Sequence, residues 1–263
     1  MNTKPIGIFD SGVGGLTVYK AIKEVLPNES LVYIGDTARV PYGSRGKETI
    51  TSFSKQLLKT ILSFEVKCVV IACNTISAVA LTELQSISPV PLIDVIEPTV
   101  HYAAKHVRSS VGIIGTRATI ESAVYSKKIR ALKESIHIKE KACPLLVPLI
   151  EESIQNKHAI QDILEQYFVD LHDIDDLILG CTHYPLLRNE IQKVIGNDVS
   201  IIDSAHPTAD SLKQILSDKS MLIRNGIPSY TLLFTDFSMH VKEFLKEYFA
   251  ETQSNVSEIK LIE

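Results

Sequence analysis

Two cysteines, Cys73 and Cys181, are the residues whose positions point most directly to chemistry. Each ends a short apolar run, V-V-I-A-C in the first case and L-I-L-G-C in the second. Small polar or ionisable residues follow both runs at once: Asn74, Thr75, Thr182 and His183. In an open parallel sheet, ligands bind beyond the carboxyl ends of the strands. If the two runs are strands, both thiols are delivered to a ligand-binding edge.

Two thiols that face one ligand can perform racemisation, which removes a proton from one face of a carbon and returns one to the other face. One sulfur must begin as a thiolate and the other as a thiol. Free cysteine has a pKa of about 8.5, so each thiol needs a helper at neutral pH. We expect His183 to assist Cys181. For Cys73 the candidate is Asp10, which can accept or orient a proton, although its charge alone would raise the thiol's pKa.

The loop D-S-G-V-G-G, residues Asp10–Gly15, follows the first predicted strand and opens a helix. Its glycines permit a tight turn, and a helix N-terminus favours an anion. Neither the phosphate-loop pattern G-x-x-x-x-G-K-[ST] nor the dinucleotide pattern G-x-G-x-x-G occurs in this loop,. We therefore expect a site for a carboxylate rather than for a phosphate.

Small hydrogen-bonding side chains lie near other predicted strand ends. They are Asn74, Thr75, Thr116, Thr119 and Thr182. A threonine at such a place can cap a helix or contact a ligand, and it can do both. The sequence does not separate these roles.

Two short motifs, V-P-Y-G (Val40–Gly43) and V-P-L-I-E (Val147–Glu151), occupy comparable places in the two halves of the chain. Proline and glycine favour a turn in the first motif. Because the motif follows a predicted strand, it can also form a loop over the same cleft. Glu151 is open to two interpretations, a general acid/base or a solvated surface carboxylate.

Short apolar runs alternate with longer amphipathic stretches along the chain. The predicted strands are Ile6–Phe9, Leu31–Ile34, Cys68–Ala72, Leu92–Asp94, Val111–Ile114, His137–Ala142, Leu177–Leu179, Ser200–Ile202 and Thr231–Phe234. We expect these strands to be buried on both faces. Helical patterns such as Leu16–Leu26 and Thr49–Ser63 separate them. The alternation predicts an α/β protein with parallel sheets covered by helices.

The sequence also repeats itself weakly. V-V-I-A-C-N-T resembles L-I-L-G-C-T-H, and I-D-V-I-E-P-T resembles I-D-S-A-H-P-T, in the same order and at nearly the same spacing. A third pair is G-I-F-D-S and G-I-I-G-T. We interpret the pattern as two similar α/β halves with Cys73 and Cys181 at equivalent positions. Two such halves would present two thiols across one cleft.

Composition narrows the classes of function. The chain has 263 residues, is 45% hydrophobic and 22% charged, and carries a formal net charge of −4. This balance argues against a bulk nucleic-acid binder, which usually shows a basic excess. No leader peptide or membrane-spanning run is recognised, so a soluble cytoplasmic protein is expected. The cysteines lack metal-site spacing and are expected to be free thiols, with Cys68 and Cys143 serving only packing.

Taken together, the motifs resemble those of the glutamate racemases in the aspartate/glutamate racemase family. The motifs are G-I-F-D-S-G-V-G-G, V-P-Y-G, A-C-N-T, V-P-L-I-E and G-C-T-H-Y-P-L, in that family's order over nearly the whole chain. The resemblance implies two pseudo-symmetric parallel-sheet α/β domains with the active site in the cleft between them. It implies that residues 99–206 form a domain inserted into a first domain of residues 1–98 and 207–263.

The resemblance also implies a reaction and roles for residues. The reaction interconverts L- and D-glutamate without a cofactor or metal and supplies D-glutamate for bacterial peptidoglycan. Cys73 matches the cysteine that acts on the D-isomer, and Cys181 the one that acts on the L-isomer. The matching supporting acid/base residues are Asp10, Glu151 and His183. The matching substrate contacts are Asp10, Ser11, Tyr42, Gly43, Asn74, Thr75, Thr116, Thr119, Thr182 and His183.

Three alternatives stay open at the level of sequence. The first is a racemase for another acidic amino acid, such as aspartate. The second is a non-catalytic protein that binds a small dicarboxylate, with thiols that merely pack. The third is a redox sensor in which Cys73 and Cys181 form a disulfide, which requires their sulfurs to touch. No nucleic acid or membrane is expected as a partner, and a homodimer is one candidate assembly.

Overall fold

The protein contains two β-sheets, and every strand pair in both sheets is parallel. The computed structural model describes residues 3–152, 156–250 and 255–262. The first sheet contains β1 (Ile6–Asp10), β2 (Leu31–Gly35), β3 (Cys68–Ile71), β4 (Leu92–Asp94), β9 (Tyr230–Phe234) and β10 (Asn255–Glu258). The second sheet contains β5 (Ser110–Gly115), β6 (His137–Ala142), β7 (Asp176–Gly180) and β8 (Ser200–Ile202). The predicted α/β class with parallel sheets is confirmed.

Helices connect the strands in both sheets. They are α1 (Leu16–Val25), α2 (Lys47–Leu62), α3 (Asn74–Val79), α4 (Leu81–Ile87), α5 (Ile96–His106), α6 (Arg117–Glu121), α7 (Val124–Leu132), α8 (Leu146–Glu151), α9 (Lys157–Phe168), α10 (Arg188–Ile195), α11 (Ala205–Asp218) and α12 (Met239–Tyr248). A 3₁₀ turn, Tyr184–Leu187, precedes α10. Helical crossovers are what parallel strands require, because a tight turn cannot join them.

The two sheets share one strand order. The order in the first sheet is β10-β9-β2-β1-β3-β4, and the order in the second is β6-β5-β7-β8. Leaving out β9 and β10, each strand of the first sheet has a counterpart in the second, so the predicted internal repeat has a structural basis. All strands of the second sheet lie within residues 99–206, but the exact domain boundaries stay a prediction.

The strands at the sheet edges differ from the prediction. The expectation of burial on both faces holds for the central strands, but β6 alternates between exposed and half-buried residues. Ser200 in β8 is also exposed, and β10, which the sequence did not predict, is exposed throughout. An edge strand has a neighbour on one side only, so less of its surface is covered. The central strands read as continuous apolar runs because helices cover both of their faces.

The helices join the two sheets into one packed core. The return helix α11 packs against α1 and α5, and α3 packs against α6. One cluster of buried side chains accordingly includes Ile8 and Val70 from the first sheet together with Ile113 and Leu179 from the second. Within the described ranges, no helix is both long and apolar enough to cross a membrane.

A buried ion pair lies at the amino ends of the strands in the first sheet. Lys67 Nζ is 2.5 Å from Glu29 Oε2, and both side chains are fully buried. Lys67 also donates to the carbonyl of Met221, while Glu29 Oε1 accepts from the amide of Ile223. These four groups fix the connection after α11 to the bottom of the sheet. The opposite edge, where the strands end, is left for the site.

Candidate active site

Both cysteines of the internal repeat line one cavity at the carboxyl ends of β3 and β7. Every residue predicted for the site lines this cavity except Asp10, Glu151 and Thr119. All four cysteines of the chain are free thiols. The strand order therefore brings together two residues that lie more than a hundred positions apart in the sequence.

Cys181 faces a histidine and, behind it, a carboxylate. Its Sγ lies 3.9 Å from Nδ1 of His183, and Nε2 of the same ring lies 2.8 Å from Glu151 Oε1. His183 reaches this place because the chain turns directly from β7 into the 3₁₀ turn. Glu151 is the last residue of α8, whose apolar side chains are buried. Its side chain is 17% exposed, so Glu151 is not a solvated surface carboxylate, and its role as a general acid/base stays a prediction.

The two partners change the charge state of the histidine. Burial alone would lower the pKa of His183, but the hydrogen bonds to Cys181 and Glu151 and the negative charges of these groups raise it well above 6.5. The raised pKa favours the imidazolium form of the ring. A positively charged imidazole next to a sulfur stabilises a thiolate.

Cys73 has a different neighbour. Its thiol donates to Ser11 Oγ at 3.4 Å. Burial, together with the negative charge of Asp10, raises the pKa of the Cys73 thiol to about 12. Ser11 lines the cavity and stays a predicted substrate contact, and its hydroxyl also makes the hydrogen bond that was expected from a helper of Cys73.

The predicted helper Asp10 lies between the two halves. Its Oδ1 accepts from the amide of Gly12 at 2.9 Å, and its Oδ2 accepts from Thr182 Oγ1 at 3.5 Å. Burial raises the pKa of Asp10, although the charge of His183 opposes this effect. A carboxyl with a raised pKa can hold or pass a proton nearer to neutral pH than an ordinary aspartate.

Three threonine hydroxyls form a chain from the first half to the second. Thr75 Oγ1 lies 2.9 Å from Thr116 Oγ1, which lies 3.0 Å from Thr119 Oγ1. Thr116 also caps α6 by accepting from the amide of Thr119. Gly43 packs against the same threonine so closely that an added Cβ would lie 2.4 Å from Thr116 Cβ. Thr116 therefore combines capping with a place on the cavity wall.

Tyr42 lines the cavity, but its hydroxyl points away from it. That hydroxyl donates to Asp36, a fully buried carboxylate that the sequence prediction missed. Asp36 also accepts from Arg39 Nε at 2.6 Å and from Thr235 Oγ1 at 2.8 Å. This network ties the V-P-Y-G loop to the end of β9. The only local signal was an acidic residue directly after a buried strand, in G-D-T-A-R.

The side-chain amide of Asn74 is hydrogen-bonded at its nitrogen but not at its oxygen. Its Nδ2 donates to the hydroxyl of Tyr125 at 2.7 Å. Its Oδ1 is buried and has no partner among the described residues. A buried acceptor without a partner is costly, so this oxygen marks a place where a ligand's donor fits. Tyr125 was not predicted, because nothing local links it to a residue 51 positions away.

The cavity between the loops that follow the strands of the two sheets is small. The cavity has a volume of about 20 Å³, enough for one water molecule,. A ligand with several carbon atoms requires the loops to separate before it can enter. Among the described residues, no group of three or more His, Cys, Asp or Glu side chains is arranged to hold a metal ion.

The sequence and fold are similar to those of characterised racemases. The profile of the Asp/Glu/Hydantoin racemase family matches residues 6–212. The chain is 41% identical to the glutamate racemase of Syntrophus aciditrophicus, over 98% of this chain and 97% of that protein. The crystal structure of a glutamate racemase isoform from Bacillus anthracis superimposes with a TM-score of 0.94 at 37% identity, covering 99% of this chain and 98% of that one. The glutamate racemase of Francisella tularensis, solved in complex with D-glutamate, gives a TM-score of 0.91 at 35% identity, covering 100% and 98% of the two chains.

Proposed function

Because the chain belongs to the Asp/Glu/Hydantoin racemase family, we propose that it interconverts L- and D-glutamate by proton transfer at Cα between two thiols. The observation that carries the proposal is one cavity lined by Cys73 and Cys181 from equivalent strand ends. The related proteins named above are glutamate racemases, and one of them was solved with D-glutamate. These relatives favour glutamate over aspartate as the substrate.

The mechanism needs a different starting protonation state at each sulfur. For L-glutamate it starts with a thiolate at Cys181, next to the His183 ring, and a thiol at Cys73, whose pKa burial raises. In this state the enzyme is ready for L-glutamate. Cys181 removes the Cα proton, and Cys73 delivers its own proton to the opposite face. The product is D-glutamate, and the two sulfurs have exchanged states.

The reverse direction begins with a thiolate at Cys73. Ser11 can donate to that sulfur, and the Asp10 carboxyl, whose pKa is raised by burial, can exist as a neutral acid nearby. Cys181 is then the thiol that supplies the second proton. His183 stays paired with Glu151 throughout, so its charge varies less than that of the sulfurs.

Substrate binding uses groups on both sides of the cavity. The ammonium is the only hydrogen-bond donor of zwitterionic glutamate, so the unpartnered Asn74 Oδ1 is assigned to it,. The hydroxyls of Thr75, Thr116 and Thr182 can donate to carboxylates. Because the cavity must open to admit glutamate, binding and release involve movement of the loops.

The proposed reaction needs no added cofactor. Two thiols and their helpers supply both the base and the acid. We expect full activity after exhaustive dialysis against a chelator. Loss of activity that pyridoxal phosphate or a metal ion restores would contradict the proposal.

The decisive experiment is hydrogen exchange at Cα in heavy water. The protein should incorporate deuterium into each glutamate isomer and convert each isomer into the other, as followed by NMR and circular dichroism. Aspartate serves as the matched control, since it carries the same groups with one methylene fewer. Faster conversion of aspartate would identify the alternative substrate, and exchange with neither would indicate a binding protein.

The biological role proposed is supply of D-glutamate for peptidoglycan. This role is supported by the resemblance to glutamate racemases. The gene should restore growth to a bacterium that requires D-glutamate, and a Cys73→Ser variant should not. If that variant also restored growth, the biological role would not depend on the proposed racemisation reaction.

A further inference from the structure

We propose that Tyr125 is a positioning residue, which holds the amide of Asn74 with its oxygen toward the cavity and so prepares the site for the substrate's ammonium. The inference rests on the proposed function. Tyr125 belongs to α7 in the second half of the chain, whereas Asn74 directly follows Cys73 in the first half. The contact between them therefore crosses from one half to the other.

The direction of the bond between Asn74 and Tyr125 follows from the two ends of the amide. Nδ2 of Asn74 donates to the hydroxyl of Tyr125 at 2.7 Å. Oδ1 is buried and has no partner among the described residues. Because Asn74 lines the cavity, a donor of the substrate can reach this oxygen,.

The hydroxyl of Tyr125 is the group that holds this orientation. By accepting from the NH₂ group of Asn74, it keeps that group away from the substrate and leaves the amide oxygen available. Burial raises the pKa of Tyr125, which keeps the group a neutral hydroxyl.

The Asn74–Tyr125 pair is excluded from water. Tyr125 is 1% exposed and Asn74 is 2% exposed. Helix α7, which carries Tyr125, packs against α5. Without Tyr125 the amide could rotate and present its NH₂ group to the ammonium, which would repel it.

A double-mutant cycle tests the inference. Tyr125→Phe should raise KM for both glutamate isomers about tenfold, with a smaller change in kcat, because a bond to a charged group is lost in substrate and transition state alike. Asn74→Ala should raise KM at least as much. In the Asn74→Ala background, Tyr125→Phe should have no further effect on KM. An equal, independent effect in that background would overturn the inference.

A control separates positioning from folding. Tyr184→Phe removes another fully buried hydroxyl, which donates to the carbonyl of Cys143 at 2.8 Å, and should leave KM unchanged. Equal rises in KM for Tyr184→Phe and Tyr125→Phe, with unfolding temperatures matched, would contradict the positioning role.

A ligand without the ammonium gives a second readout. Inhibition by glutarate should be the same in wild type and Tyr125→Phe, since glutarate has no donor for Asn74 Oδ1. Equal weakening of glutarate and glutamate binding would point to a general defect and overturn the assignment. Absence of racemisation by the wild-type protein would instead refute the proposed function, so the two failures are distinguishable.

Discussion

The two thiols occupy equivalent places in a repeated scaffold but differ in electrostatics. Cys181 lies beside an imidazolium that a carboxylate holds in place. Cys73 lies beside a neutral hydroxyl and near a buried carboxyl, and its pKa is raised to about 12. The repeat therefore explains where the sulfurs are, and the positions at which the paired motifs carry different residues, such as Thr75 and His183, explain how they differ. A symmetric reaction on two mirror-image substrates runs here in an asymmetric site.

Because the two sulfurs differ in this way, we expect a substitution near one of them to affect the two directions of racemisation unequally. A change beside Cys181 should affect the L-isomer more, and a change beside Cys73 should affect the D-isomer more. Equal consequences for both isomers would mean that the neighbours belong to the whole cavity rather than to one sulfur.

The largest effects should come from replacing the sulfurs themselves. Cys73→Ser and Cys181→Ser should each lower racemisation by about 10³-fold, because a serine hydroxyl is a far weaker acid than a thiol. A substrate with a good leaving group at Cβ needs only proton removal before elimination. With it, Cys73→Ser should keep activity on the L-isomer and Cys181→Ser on the D-isomer.

The control for these variants is Cys143→Ser, a buried thiol at the end of β6 that does not line the cavity. It should retain both activities. Equal loss of both isomers in both catalytic variants, with folding intact, would refute a mechanism with one thiol for each face.

The next effect concerns the imidazolium. With the substrate that carries a leaving group at Cβ, His183→Asn should lower kcat/KM for the L-isomer about 10²-fold. The same substitution should lower kcat/KM for the D-isomer less. Glu151→Gln should act more mildly, because it leaves the ring but removes the charge that raises the pKa of His183. The alkaline limb of the pH profile for the L-isomer should then move to lower pH. An unchanged profile in Glu151→Gln would contradict this coupling. The limbs belong to the coupled set rather than to one residue.

A smaller loss of activity is expected from a substitution that displaces the side chain of His183. A Cβ added to Gly14 would lie 2.3 Å from Nδ1 of His183, so Gly14→Ala must displace the ring. We expect an approximately tenfold loss with the L-isomer, measured as kcat/KM. The matched control is Gly46→Ala, where an added Cβ meets nothing within 4 Å. Similar losses in both alanine variants would show that the close approach to His183 is unimportant.

The smallest effect is on stability, and it depends on pH. The folded-state pKa of His183 lies above its ordinary value of 6.5. The resulting stabilisation is complete below about pH 6.5 and is lost as the pH rises through the folded-state pKa. The difference in unfolding free energy between wild type and His183→Asn should therefore shrink as the pH is raised. Denaturant titrations at several pH values would show this, and a difference that grows with pH would contradict it.

Sequence patterns predicted most of the scaffold. The alternation of short strand-like runs with amphipathic stretches identified nine of the strands, and the central ones among them are apolar because helices cover both of their faces. The exposed strand β10 (Asn255–Glu258) was missed for the same reason, since an edge strand lacks this pattern. The position of each sulfur after a strand followed from the same local signal.

Local pattern also indicated which residues surround the cleft, but not their partners. Glu151 could be read as a solvated carboxylate until the fold placed it 2.8 Å from His183, 32 residues away. Ser11 and Cys73 are 62 residues apart and meet at 3.4 Å. The buried pair Lys67 and Glu29 left no trace in the periodicity, because a charged residue at a strand's start looks like an exposed one.

The sequence by itself thus determined the α/β architecture, the internal repeat and the delivery of two thiols to one edge. These features depend on the alternation of apolar and polar residues, which acts over a few neighbouring positions. Only the tertiary structure decided that the pKa of His183 is raised, that the Cys73 thiol donates to Ser11, and that Asn74 donates to Tyr125. Charge state and hydrogen-bond direction depend on burial and on groups brought together from distant parts of the chain, and no local pattern contains that information.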